Sequence, residues 1–314
     1  MKTTYIYPRS TRALIVASCA ALIVPLARAQ THVSPPPAEG IGLTLNVSSS
    51  AAGKTKLKSG SAGYGEVCSD EFAASLSQSI QLSADSGLDV GLGYQRTRLD
   101  LKPGARLVPL PERLQSLTLD LSYNQKLTAE WSALVGTSVG YHTAGSSGFS
   151  KKGFGVDVFA LGLYNVNPTL QLALGGGYSS LAHGLNRFGP AVGLAWQATP
   201  KWSIAFGYPT TGVTYKFSEA LSLGLVGEGV FGTYYVGKDP LPVSTTKPAL
   251  DRTTLEYFDV RLGLAATWKI TPVFSLVTKV GSVLARQYDY HQRNFKLKSE
   301  GTAAYFSLGV SRSF

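Results

Sequence analysis

Residues 130–143 read EWSALVGTSVGYHT. Trp131, Ala133, Val135, Val139 and Tyr141 fall on one face of an extended chain, and Ser132, Gly136, Ser138, Gly140 and His142 fall on the other. That period of two predicts a β-strand with one apolar and one polar side. The same alternation returns in LTLDLSY (117–123), with Leu117, Leu119, Leu121 and Tyr123 against Thr118, Asp120 and Ser122. It returns again in LQLALGGGY (170–178), with Leu170, Leu172, Leu174 and Tyr178 on one side.

Working outward from these, alternating stretches recur from residues 40–49 at the start to residues 302–314 at the end, fourteen in all, or twelve if weak stretches such as 212–217 are discounted. Their connections have a rhythm of their own. ADSG, NVNPT, ATPK, SEA and ITP are turns, whereas SSAAGKTKLKSGSAGY, LKPGARLVPLPE, AGSSGFSKK, GKDPLPVSTTKPALD and QYDYHQRNFKLKS are longer. Only PTTG, near Pro209, breaks the order. Short turns at one end and long loops at the other define an all-β chain: a transmembrane antiparallel up-and-down β-barrel with short periplasmic turns and longer extracellular loops.

An outward apolar face that meets lipid should carry amphipathic aromatics at its rims. Trp131, Trp196, Trp202 and Trp268 each flank a short turn on the apolar phase of their strands, and Tyr123, Tyr164, Phe217 and Phe274 join them. Tyr94, Tyr141, Phe154, Tyr178, Tyr208 and Tyr235 are expected at the opposite rim. A soluble β-sandwich would also alternate, but it would not place every Trp beside the same class of turn.

Composition agrees. Charged residues make up 15% of the 314, against roughly 25% in soluble domains. The first 29 residues read as a cleaved export signal: Lys2, Arg9 and Arg12 precede the apolar run ALIVASCAALIVPLA, and Ala27-Arg28-Ala29 supplies the small-x-small site. VASC, ending at Cys19, resembles a lipoprotein box, yet the apolar run continues past it to Leu26. Removing residues 1–29 takes four of the 29 basic groups and no acidic one, so a net charge of +10 becomes +6. Residues 30–39 form a Pro-rich periplasmic linker and residues 40–314 the barrel. Cys68 is then the one cysteine left, which excludes an internal disulfide.

The chain closes on AYFSLGVSRSF (304–314). Ala304, Phe306, Leu308, Val310 and Phe314 make a lipid face, and this strand is expected to pair with the first, GIGLTLNVS, so that no edge stays open. The ending resembles the signal read by the bacterial barrel-assembly machinery, with Gly309 and Phe314 as the matching positions. Arg312 stands where that signal favours an apolar residue. FGYPTTGVTYKFSEALSLGLVGEG and TLEYFDVRLGLAATWKITPVFSLVTKVGSVLARQYDY resemble an uncharacterised family of bacterial outer-membrane barrels, a domain of unknown function. The resemblance implies address and fold, and it carries no catalytic residues.

Chemistry of other kinds is not signalled. His32, His142, His183 and His291 are scattered, no His, Cys, Asp and Glu cluster has metal-ligand spacing, and no cofactor or nucleic-acid motif appears. A lipid-modifying hydrolase would have to use His142 with Ser146 or Ser147, a pairing any Ser-rich loop offers. The inward phase carries Asp89, Asp120, Asp157, Lys216, Glu228, Asp259, Arg261 and Lys279, charges that would cost roughly 2–4 kcal/mol for Lys and Arg facing lipid at mid-depth. They sit inside because folding requires it, and they are also candidates for a selectivity ring. Inward glycines such as Gly91, Gly93, Gly136 and Gly175 predict an open lumen, since fourteen strands exceed the eight whose own side chains fill the bore.

Lys54, Lys56, Lys58, Lys296 and Lys298 are among the basic groups of the long connections. They fit anionic solutes or lipopolysaccharide phosphates, and equally the plain solubility of exposed loops. The expected protein is therefore a non-enzymatic barrel of the bacterial outer membrane in contact with its lipids. Passive passage of small solutes is its first reading, and a non-conducting structural or surface-interaction barrel plugged by its loops is the alternative.

Overall fold

Alternation written along the chain becomes a wall only when each strand finds two neighbours. In the computed structural model, which describes residues 42–104, 106–145, 148–207, 210–241 and 248–314, every strand does. The export signal and linker lie outside those residues, as do Ser146, Ser147 and Tyr208. The strands are β1 (Leu43–Ser59), β2 (Ala62–Ser83), β3 (Ser86–Lys102), β4 (Arg113–Lys126), β5 (Trp131–Ala144), β6 (Phe154–Asn167), β7 (Leu170–Ser179) and β8 (Phe188–Gln197). There follow β9 (Trp202–Gly207), β10 (Thr210–Lys216), β11 (Leu221–Val236), β12 (Thr253–Thr271), β13 (Phe274–Tyr290), β14 (Phe295–Glu300) and β15 (Ala303–Ser313).

From β2 to β14 each strand pairs antiparallel with the one before it. β14 and β15 both lie between β13 and β1 and meet end to end at Gly301, whose φ is +80°, so fifteen strands make fourteen staves. The barrel shuts where β1 meets β15, from Thr44 opposite Ser313 to Ala52 opposite Tyr305. The expected pairing of first and last strands is what closes it.

Apolar side chains cover the outside. Leu92, Leu119, Val135, Val158, Leu174, Phe206, Leu225, Leu264, Val280 and Phe306 are all exposed, from ten different staves. Left in water, each would forfeit about 1.5–3 kcal/mol of burial, which a hydrocarbon surround returns. The tryptophans stand together at the periplasmic rim. Trp131 lies opposite Tyr164 with ring centroids 4.8 Å apart, Trp202 lies opposite Tyr215 at the same distance, and Trp268 pairs with Leu221. Arg312 folds its guanidinium over the Phe314 ring, 4.7 Å from the centroid, so the cation rests on an aromatic face at the rim.

Two connections expected as loops are strands. SSAAGKTKLKSGSAGY continues β1 to Ser59 and turns at Gly60, and most of QYDYHQRNFKLKS belongs to β13 and β14. The lysines hid the alternation: Leu57 and Leu297 are buried, while Lys56, Lys58, Lys296 and Lys298 stand between and beside them toward the other face. Lys58 also pairs with Glu300 at 3.3 Å.

Candidate functional site

Strand length decides the shape of the lumen. β1, β2, β3, β11, β12 and β13 have 16 to 22 residues, whereas β9 has six and β10 seven. Because the staves between them stop low, the upper end of β11 crosses to β5 and pairs with it in parallel, Tyr235 opposite Thr143 and Val236 opposite Ala144. The extracellular end is thus a narrower collar of β1 to β5, β11 to β13 and β14, closed by that clasp. Tyr235, expected in the lipid girdle, is instead buried by the crossing.

The collar is filled by its own side chains. Leu57, Val67, Leu99, Leu114, Val236, Leu250, Leu255, Tyr257, Tyr288, Tyr290 and Leu297 form one apolar cluster, each almost without solvent exposure. Beneath it lies an ionic layer. Arg286 Nε and Nη2 donate to the two oxygens of Asp259 at 2.8 and 2.9 Å, and Nη2 also donates to Ser69 Oγ at 3.0 Å. Arg261 grips Glu71 with both terminal nitrogens, touches Asp259 at 3.2 Å and lies over the Tyr305 ring. Tyr257 Oη donates to Glu71 at 3.2 Å. The open bore expected from fourteen staves is therefore confined to the periplasmic side of this layer.

The eight inward charges do not form one ring. Asp259 and Arg261 belong to the ionic layer, Glu228 and Lys279 pair with each other, and Lys216 pairs with Glu219 at a periplasmic turn. Asp89 accepts from Ser79 and Ser122, and Asp120 accepts from Thr118 at 3.4 Å. Asp120 and Asp157 border an open cavity. Glu71, Ser69 and Arg286 complete the layer and are not among the site residues expected from the sequence. Glu71 shares the inward phase of Ser69 and was legible by alternation. Arg286 was not, because a bulge at Leu284 reverses the phase: Val260 faces Ala285 but Arg261 faces Val283.

That cavity, about 310 Å³, sits in the lumen against β11. Its lining combines polar Asn46, Ser48, Ser75, Thr118, Asp120 and Asp157 with apolar Phe159, Leu181 and Phe231. Gly136 makes room for the Phe159 ring, since a Cβ there would stand 2.4 Å from it. Below Phe159 an apolar strip of Leu134, Leu161, Leu163, Ala173 and Ala191 runs along the inner wall of β5 to β8. A second space of about 930 Å³ lies along β8 to β10 and the periplasmic turns, bordered by Gln171, Gln197, Ser203, Thr210 and Thr214. His142 lines the upper cavity with its ring 6.3 Å from that of Tyr234. Among the described residues no group of three or more His, Cys, Asp or Glu could hold a metal ion.

A hydrogen-bonded wall closed on itself, apolar outside, aromatic at its rim and hollow below, defines a transmembrane β-barrel of outer-membrane type. The chain belongs to the family described as a domain of unknown function (DUF6268), whose pattern matches residues 73–311. No curated protein matches the sequence. Similar solved structures include the COG4313 outer membrane channel from Pseudomonas putida F1, at 15% identity and a TM-score of 0.46, covering 89% of this chain and 99% of that one. The Pseudomonas putida toluene transporter TodX aligns at 10% identity and a TM-score of 0.42, over 90% and 91% of the two chains. The translocator domain of the autotransporter NalP from Neisseria meningitidis aligns at 11% and 0.41, over 91% and 93%.

Proposed function

We propose that the protein is a porin-like channel of the bacterial outer membrane that passes small solutes to the periplasm without a covalent step. One observation carries this reading: below the ionic layer the lumen keeps two unfilled spaces, of about 310 Å³ and about 930 Å³, although fourteen staves had ample inward side chains with which to fill them. Outer-membrane lipids would surround the apolar belt, and Arg96, Arg98 and Arg113, which border a shallow extracellular pocket, suit lipopolysaccharide phosphates. Folding would be handed to the barrel-assembly machinery through the Gly309–Phe314 ending.

The filled collar favours a second reading, a non-conducting structural or surface barrel. Swelling of proteoliposomes in isotonic solutions of small amines and alcohols separates the two. Solute-dependent swelling is expected from the channel. Liposomes as tight as protein-free ones, with correctly folded protein, would leave the structural reading in possession.

A further inference from the structure

The wall has a gap in it. β8 pairs with β9 only from Gly193, opposite Gly207, downward, so among the described residues Phe188 to Val192 have no strand on that side. β11 pairs with β10 only up to Glu228, opposite Thr210, and with β5 only from Tyr235, so among the described residues Gly229 to Tyr234 have none on that side either. Between these two flanks stands the β9–β10 hairpin, whose upper end is fastened by Thr211: its Oγ1 donates to the Gly207 carbonyl at 2.8 Å and accepts from the Gly207 amide at 3.1 Å. Pro190, which lacks a backbone donor, lies in the unpaired part of β8, where a missing donor is tolerated.

The height of the gap follows from geometry. From Trp202 at the periplasmic girdle to Gly207 is five residue steps, or ~13 Å along the barrel axis at the usual rise and tilt. The apolar band of such barrels is about 25 Å tall. The hairpin therefore stops near mid-membrane, and the gap above it opens into the outer leaflet, with flanks three strand spacings, ~14 Å, apart. A roof exists. The segment after β7 reaches over to β12, where the His183 amide and Asn186 Nδ2 donate to Glu256 at 3.0 and 2.8 Å. Open sheet edges are not left facing hydrocarbon unless they border a cavity.

The β11 edge borders one: Phe231 and Thr233 line the 310 Å³ cavity, together with Leu181 of the segment that forms the roof. Thr233 is 6% exposed, and among the described residues its hydroxyl has no hydrogen-bond partner. A buried hydroxyl left unpaired costs about 1–3 kcal/mol, which a bound polar group would recover. Directly below, Thr210 and Gly212 at the top of β10 border the periplasmic space.

We propose that this gap is a side portal through which small amphiphiles dissolved in the outer leaflet enter the lumen and lodge in the cavity behind it. The occupant has an apolar body and a hydrogen-bonding head such as an amine or alcohol. Phe159, Phe231 and the apolar strip of β5 to β8 take the body; Thr233, Asp120 and Asp157 take the head. The closed collar leaves this as the way in from outside, so the inference rests on the channel reading and adds to it both a route and a substrate class.

The test uses 1-naphthylamine, an aromatic amine, with naphthalene as the headless control, in cells producing the full chain. Initial accumulation of 1-naphthylamine is expected to rise several-fold over cells without the protein. Pro190→Trp with Gly229→Trp, a ring from each flank, should return it to the background. Thr233→Val, which keeps the shape of the side chain, should lower uptake of 1-naphthylamine and leave naphthalene unchanged, and it serves even if the double variant fails to fold, as judged by heat-dependent gel mobility. Equal uptake by wild type and a folded double variant overturns the portal, as does a Thr233→Val variant indistinguishable from wild type on both probes. Amine-dependent swelling of proteoliposomes retained in that event would leave the channel standing without its side portal.

Discussion

Asp259 and Arg286 are enclosed on all sides, and charges so placed persist only when each finds its partner. Arg286 spans from β13 to Asp259 of β12 and Ser69 of β2, and Arg261 spans to Glu71, so the layer ties the two flanks of the closing seam across the bore. Removing one member leaves the others uncompensated, a loss of about 3–5 kcal/mol. Arg286→Met should accordingly lower the temperature at which the folded gel band converts to the unfolded one, and Arg286→Met with Asp259→Leu should recover most of the loss. A single variant that melts with wild type would mean that the layer contributes nothing to stability.

At the scale of elements, the strands were legible because their apolar positions alternate, and the tryptophans marked the periplasmic rim without help from tertiary structure. Tyr235 and Arg286 show where that reading stops. Tyr235 keeps the outward phase of β11, but β11 leaves the wall to meet β5, and no local pattern in either strand records a partner so far away in the chain. Arg286 is misplaced by one inserted residue, which alternation cannot locate because Leu284 and Ala285 both suit the outer face. The PTTG irregularity was visible as a broken rhythm, although its meaning, a hairpin too short for the membrane, needed the register of its neighbours. In the roof over the gap, His291 Nε2 lies 2.9 Å from Glu256 and 3.5 Å from Asp289. The bond to Glu256 holds the His291 pKa above its ordinary 6.5, with the charges of Glu256 and Asp289 adding to it against partial burial. A raised imidazole pKa stabilises the fold fully below pH 6.5 and ceases to do so as pH climbs through the raised value. Amide exchange at residues 182–187, corrected for intrinsic rate, should therefore accelerate between pH 6 and pH 9 in wild type and stay level in His291→Gln. Identical profiles would remove His291 from the roof's support.

For the whole molecule, the unequal heights of the staves couple two features that look separate. Short β9 and β10 open the wall on one side, and the same shortness lets β11 reach β5 and draw the collar tight. A barrel of fourteen equal staves would have neither gap nor plug, and its bore would run straight through. The axial closure then depends on the apolar core rather than on the hydrogen-bonded ladder, which continues intact around the collar. Leu255, Tyr257 and Leu297 project into that core from β12 and β14 and are wholly buried. Replacing all three by serine removes a large part of the apolar filling of the axis while leaving every strand its backbone partners, so the wall should still close. In planar bilayers the wild type is expected to show at most small currents, since its axis is blocked, and the triple variant should show large steady openings with folded gel mobility retained. Large currents already present in the wild type would place the conducting path elsewhere than through a plugged axis, and a folded triple variant as silent as the wild type would mean that the ionic layer of Asp259, Arg261 and Arg286 closes the bore alone.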